Sequence, residues 1–247
     1  MTRHSPPLLI IGAFTETFNF LDLLQTDTIQ SHILLTKGKY ADLDKAEIVF
    51  DGMAFELEFF NQTETDRLLQ ENTLSTLFSS PAAPNSMSIG IGLSEHIENG
   101  KHLPSINQAL LKVAQLLGKQ SSASHIGWLP ARQSIDFGHF SEAVDDYLSG
   151  GPTPVLIQIA ITKDEENILQ TQGLSYFANQ EVTLTTPFGM SDSEAIKRLV
   201  RISHDIAVNG KIESKLETKG LAEDELLSFI PSADKSKLAV TINTKSG

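Results

Sequence analysis

Five side chains between residues 125 and 139 have types that could bind a small anionic ligand: His125, Trp128, Arg132, Asp136 and His139. An indole stacks on flat ligands, and a guanidinium binds a carboxylate or a phosphate through paired N–H groups. We expect these residues at a strand end, in the following loop and at the next helix start, where binding residues often lie. In the opposing interpretation Trp128 is a core aromatic and Arg132 a surface charge, because loops are polar regardless of function.

Glu181 is the remaining candidate for ligand binding. Together with Gln170 or Gln172 it could form a polar group on the exposed face of a strand. A carboxylate acts as a general acid or base only when it has a partner and a shifted pKa. The sequence pattern indicates neither of these, so no catalytic residue is predicted.

The histidines and glycines do not form a recognisable metal or nucleotide site. The seven histidines are scattered, no two have the i, i+4 spacing of a helical zinc motif, and the chain has no cysteine. Gly90 and Gly92 lack the third glycine of a dinucleotide-binding fingerprint. No nucleophile elbow, Walker A loop or EF-hand pattern occurs. We therefore predict neither a metal nor a cofactor.

The charge balance restricts the partners. The chain has 19 basic and 31 acidic residues, a net charge of −12, which repels nucleic acid phosphates and anionic lipid headgroups. Its first apolar run, residues 8–11, is shorter than the roughly 7–15 residues of a secretion signal or the roughly 20 of a spanning helix. We expect a cytoplasmic protein that binds neither nucleic acid nor membranes. The partner classes that remain are another protein and a second copy of this chain.

Three amphipathic segments predict the main helices. The first begins at Pro104 and closes near Gly118, the second is capped by Asp136, and the third begins at a Ser191-x-x-Glu194 capping box. Periodicity on these helices and on an apolar run predicts the following core residues: Leu110, Val113, Leu117, Leu156, Ile159, Leu199, Ile202 and Ile206.

Alternating and continuous apolar runs predict the strands. Asp51 and Gly52 separate two alternating runs, which is typical of a type I′ hairpin. Residues 155–161 predict a central strand, and residues 168–185 a long extended segment broken at residues 178–179. Residues 211–218 predict a further strand near the C-terminal end of the sequence.

The order of these segments predicts the fold class. Hairpins mixed with helices favour an α+β fold, with an antiparallel-rich mixed sheet and about three main helices packed on it. We expect a single domain over residues 1–247, with an alternative subdomain boundary near residues 79–86, where Pro81 and Pro84 oppose regular structure.

One segment of the chain resembles a known family. Thr171-x-Gly173-Leu174-x-x-Phe177, followed by Glu181, is similar to a Thr-x-Gly-Leu-x-x-Phe run with an acidic residue shortly after it. That run is found in the bacterial family catalogued as domain of unknown function 4261. The resemblance in the order of features extends from residue 47 to the end of the sequence.

The resemblance has a second element and one departure. Gly127 and Trp128, on a strand after a helix, resemble the tryptophan strand of the family. The strand equivalent to residues 87–93 carries histidines in the family, where this chain has Ser88 and Gly90. The resemblance implies a bacterial cytoplasmic protein without assigned chemistry.

Two function classes follow from these observations. The absence of a catalytic motif favours a non-catalytic binding or protein-interaction domain. The alternative is an enzyme or a small-ligand binder with a pocket near Trp128 and Arg132.

Overall fold

The computed structural model describes residues 5–14, 20–38, 44–77 and 86–244. The chain divides into two compact units, Met1–Gly151 and Pro152–Gly247, called unit 1 and unit 2 below. Apart from residue 86, the alternative boundary near residues 79–86 lies outside the described residues. A single domain over residues 1–247 stays a prediction.

Unit 1 combines a large sheet with helices. Its strands are β1 (Leu8–Gly12), β2 (Leu34–Gly38), β3 (Lys45–Phe50), β4 (Met53–Phe60), β5 (Ser75–Leu77), β6 (Met87–Leu93), β7 (His125–Trp128) and β8 (Gln133–Asp136). Its helices are α1 (Phe20–Leu24), α2 (Asp27–Gln30), α3 (Gln62–Asn72), α4 (Glu95–Glu98), α5 (Pro104–Ser121) and α6 (Phe137–Leu148), with a 3-10 turn at Leu129–Ala131.

The sheet of unit 1 has the order β2-β3-β4-β6-β1-β7-β8-β5. Only β5 and β8 are parallel among these strands. All five residues of the central strand β1 are buried. Leu9 and Ile11 pack in one cluster with Leu68 of α3, and α5 contacts the same strand with its own buried stripe. The hydrophobic core of unit 1 therefore includes the two sides of β1.

The hairpin between β3 and β4 is confirmed. Asp51 has φ 49° and Gly52 has φ 77°, the two positive values that a type I′ turn requires. The antiparallel register, Val49 with Ala54 and Phe50 with Met53, closes directly on this turn.

Unit 2 has a second, smaller sheet. Its strands are β9 (Ala160–Lys163), β10 (Leu169–Gln172), β11 (Glu181–Thr185), β12 (Leu216–Lys219), β13 (Glu225–Pro231) and β14 (Lys237–Thr244). Its helices are α7 (Leu174–Ala178) and α8 (Asp192–Asn209), with a 3-10 turn at Val155–Ile157. The strand order is β12-β13-β14-β11-β10-β9, and only β11 and β14 are parallel. The α+β class and the antiparallel-rich pairing are thus confirmed.

The helix boundaries largely follow their predicted caps. Asp136 accepts hydrogen bonds from the backbone N–H groups of Gly138 and His139, and both halves of the Ser191–Glu194 capping box are formed. Helix α5 does not close at Gly118 but continues for three residues. A side chain at Gly118 would overlap the ring of Phe137, so this glycine serves close packing instead.

Three predictions within unit 2 are wrong. Residues 155–161 form a 3-10 turn and then the edge strand β9, so Leu156 is 44% exposed and not in the core. A continuous apolar run does not distinguish strand from turn, and Pro154 has no N–H for a sheet ladder. Residues 168–185 contain α7, which lies between Gly173 (φ 100°) and Asn179 (φ 57°). The strand predicted over residues 211–218 is β12, which spans only Leu216–Lys219.

The other seven predicted core residues are buried: Leu110, Val113, Leu117, Ile159, Leu199, Ile202 and Ile206.

Candidate functional site

A groove of 370 Å³ lies in unit 2 between α8 and the edge formed by β12 and β13. Helix α8 contacts β10 and β11 as well as the 3-10 turn at 155–157, so it covers the other half of the sheet. The groove is the space between the other side of this helix and strands β12 and β13. Its apolar lining comes from both walls: Ile202, Ile206, Ile212, Leu216, Leu221, Leu227 and Phe229.

The register of β12 and β13 sets the sheet wall of the groove. Leu216 pairs with Phe229 and Thr218 with Leu227, and all four line the groove. Phe229 and Leu227 are buried, whereas Leu216 and Leu221 are each 47% exposed. The two leucines therefore form an apolar mouth that solvent reaches.

A buried ion pair fixes the turn at the end of β12. Arg198 of α8 donates to both carboxylate oxygens of Glu225, at 2.9 and 3.1 Å from its Nε, and the side chains are 11% and 3% exposed. Glu225 also accepts hydrogen bonds from the backbone N–H groups of Leu221 (2.9 Å) and Ala222 (3.3 Å). The hydrogen bond from Arg198 holds the pKa of Glu225 below its usual value, against the opposing effect of burial. This carboxylate is therefore ionised and held in place.

Gln180 fixes the segment before β12, which contributes Ile212 to the groove. Its buried amide donates to the backbone oxygens of Ile212 and Lys235, both at 3.0 Å, and accepts from the N–H of Ile212 at 3.0 Å. Ile212 is thereby held against the groove although it belongs to no strand. A buried amide with three such bonds positions the loop firmly.

The charges around the groove balance. Arg201 and Asp205 of α8 are the charged side chains beside Arg198. Glu217 and Lys219 lie on the opposite face of the sheet, where Glu217 accepts a hydrogen bond from Ser228 at 3.2 Å. Because Arg198 is already paired with Glu225, one positive and one negative side chain remain. The groove therefore has an apolar floor and no net charge, in a chain of net charge −12.

Trp128 and Arg132, which the sequence analysis selected, belong to unit 1. Trp128 ends β7 and is 1% exposed, as the core interpretation predicts. Arg132 is exposed and has φ 51° at the end of the 3-10 turn, and its backbone oxygen accepts a hydrogen bond from Ser75 at 2.9 Å. The indole is thus covered, whereas the guanidinium belongs to an exposed residue.

His139 lies in the first turn of α6, beside the cap. Its Nδ1 is 3.4 Å from Oδ1 of Asp136, which also accepts from the N–H of Gly138 at 2.8 Å. Burial opposes the shift, but the backbone hydrogen bonds hold the pKa of Asp136 below its usual value. Asp136 and His139 therefore stabilise a helix start, and ligand binding by His139 stays a prediction.

Glu181 has a local structural role. Its Oε1 accepts from the backbone N–H groups of Gly173 (2.8 Å) and Ser175 (3.0 Å) and from the Ser175 hydroxyl (2.8 Å). Its Oε2 accepts from the Thr171 hydroxyl at 2.6 Å. Thr171 in turn accepts from the N–H of Val182 at 2.8 Å. The Thr-x-Gly motif and the acidic residue after it are thus one network that joins β10, α7 and β11.

Among the residues that the structure describes, no group of three or more histidines and carboxylates could hold a metal ion. Within the same residues, no helix has the length and apolarity that crossing a membrane requires. No family model matches the chain, and no curated protein or solved structure matches it either. The resemblance to domain of unknown function 4261 therefore stays a prediction.

Proposed function

We propose that this chain is a non-catalytic protein-interaction domain of the bacterial cytoplasm, in which the groove beside α8 receives an apolar side chain of a protein partner. The observation that carries this proposal is the apolar mouth formed by Leu216 and Leu221 over a buried floor. An apolar pocket within a polar rim is the arrangement in which interface residues contribute most binding energy.

The charges around the groove support an apolar anchor over a charged ligand. The volume of 370 Å³ lies near the lower end of ligand pockets, which span roughly 300–1,000 Å³. The balanced charges of the rim favour neither an anion nor a cation. The net charge of −12 supports a protein partner over nucleic acid.

The state of Glu225 supports a non-catalytic function. Both of its carboxylate oxygens accept hydrogen bonds from Arg198, and Oε2 also accepts from the backbone N–H groups of Leu221 and Ala222. A general base needs a carboxylate that can take up a proton near the operating pH, and the lowered pKa of Glu225 opposes this. Glu225 therefore serves the shape of the groove.

A peptide selection tests the proposal. Dodecapeptides from a random displayed library are selected on the whole protein, and the affinity of the best sequences is measured by fluorescence anisotropy. We expect selected peptides to share one large apolar residue. Leu221→Ser should weaken their binding by about tenfold or more, because it removes part of the groove mouth.

Leu103→Ser is the matched control, because Leu103 is also 47% exposed but lies in unit 1 at the start of α5. Serine is a favourable residue at that capping position, so the fold of the control is retained. A library that yields no binder, or binders that are equally sensitive to both substitutions or to neither, would refute the groove as the docking site.

A further inference from the structure

Strand β12 forms an open edge of the unit 2 sheet. It pairs with β13 on one side, no described strand pairs with its other side, and all four of its residues are exposed. The N–H of Gly220 donates to the backbone oxygen of Glu225 at 3.0 Å. This bond fixes which residues of β12 form hydrogen bonds with β13. In an antiparallel ladder alternate residues bond to the same neighbour. Glu217 and Lys219 therefore direct their backbone N–H and C=O groups outward.

The side chains of the two outward residues have opposite charges. If a second copy of β12 pairs antiparallel about a twofold axis at Thr218, Glu217 of each copy lies opposite Lys219 of the other. Shifting the register by two residues places either Glu217 or Lys219 opposite its own equivalent. Directly opposed like charges destabilise a strand pair and opposite charges stabilise it. Several registers would let the outward backbone groups of Glu217 and Lys219 form hydrogen bonds. The charges favour the one with the twofold axis at Thr218.

The remaining residues of β12 fit the same arrangement. In this register Leu216, which is 47% exposed, lies opposite Gly220 of the second copy, where no side chain competes for space. Thr218 lies opposite itself, a pair that is favourable across strands. The segment 211–219 has three lysines and two glutamates, so it lacks the acidic excess that would make two copies of this chain repel each other.

We infer that the protein forms a homodimer in which the two β12 strands pair antiparallel about Thr218 and join two six-stranded sheets into one. The charge pattern identifies the partner, because the same strand supplies both members of each Glu217–Lys219 pair. The dimer and the groove share Leu216, so the two proposals are tested at different residues: the groove at Leu221, and the dimer at Glu217 and Lys219.

A charge exchange tests the inference. The mass of the full-length protein is measured by light scattering and by sedimentation over a range of concentrations at 0.1 M salt. We expect a dimer for the parent chain. Glu217→Lys and Lys219→Glu should each weaken dimerisation by about tenfold or more, because each places like charges opposite one another.

The double variant with both exchanges restores opposite charges across the interface, so it should dimerise like the parent. An equimolar mixture of the two single variants should form a heterodimer for the same reason. The double variant tests the charge pairing without the single variants, whereas the heterodimer requires both single variants to be folded, which circular dichroism checks. A parent chain that stays monomeric would overturn the inference. So would a dimer that neither single exchange weakens, or a double variant that fails to restore it.

Discussion

At the scale of single residues, Glu181 holds a local network of hydrogen bonds. Its two oxygens accept four hydrogen bonds from Thr171, Gly173 and Ser175. The residues come from the end of β10 and the start of α7. Replacing the carboxylate leaves the partly buried donors of Thr171 and Gly173 without their acceptor, which costs more free energy than the mean value of a hydrogen bond.

We predict that Glu181→Ala lowers the free energy of unfolding by about 1–3 kcal/mol. Glu181→Gln should lower it less, because an amide oxygen still accepts from Gly173 and Ser175. Urea denaturation followed by circular dichroism measures both. Glu165→Ala, in an exposed turn of the same unit, is the control and should change stability by less than about 0.5 kcal/mol. An alanine variant as stable as this control would show that the network does not contribute.

Trp128 is the only tryptophan, so its fluorescence reports on one place in unit 1. Because the residue is 1% exposed, we predict blue-shifted emission and weak quenching by iodide. Arg132→Ala should change the free energy of unfolding by no more than about 0.5 kcal/mol, as for most exposed residues. Strong quenching, with ligand-dependent shifts that Arg132→Ala abolishes, would instead support a pocket near these residues.

At the scale of elements, the turn from β12 to β13 depends on one glycine. A side chain at Gly220 would overlap the carboxylate of Glu225, which cannot move away because Arg198 holds it. The turn carries Leu221, and so it also shapes the mouth of the groove.

We therefore predict that Gly220→Ala destabilises the protein by about 1–3 kcal/mol, as expected of overpacking. Gly92→Ala is the control, because the nearest atom to a side chain there is 3.9 Å away, and it should be tolerated. Thermal unfolding of the two variants beside the parent measures the difference. Equal melting temperatures for both variants would contradict the close approach at Gly220.

Local patterns predicted the elements whose cause is local. The capping box at Ser191, the cap at Asp136 and the turn at Asp51 each depend on a few adjacent residues, and all three are formed. The run at 155–161 was misassigned because its state depends on Pro154 and on its place at the sheet edge. Position in a sheet is a tertiary property that a continuous apolar run does not encode.

The groove could not be predicted for a similar reason. Leu216 and Leu221 lie in a charged segment without apolar periodicity, and their opposite wall, with Ile202 and Ile206, comes from the stripe of a helix. Only the strand order, with α8 on one half of the sheet, brings these segments together. Of the sequence candidates, Glu181 was correctly placed on a strand, but its network depends on the positive φ of Gly173.

At the scale of the whole molecule, the two proposals concern unit 2, whereas Trp128, Arg132 and His139 belong to unit 1. The chain has a net charge of −12, which opposes binding to nucleic acid. The local excess of lysine in residues 211–219 departs from this average. A surface that departs from the overall charge is where an acidic protein can approach another copy of itself.

The position of β14 has a consequence for biosynthesis. This strand comes last among the described strands, yet it lies inside the sheet and pairs with both β13 and β11. A ribosome releases β9 to β13 first, as two separate groups of strands that have no hydrogen bonds to each other. The sheet of unit 2 closes only after residues 237–244 have left the ribosome, so its folding is delayed until then. Until then β11 and β13 each expose an unpaired edge, to which a chaperone can bind.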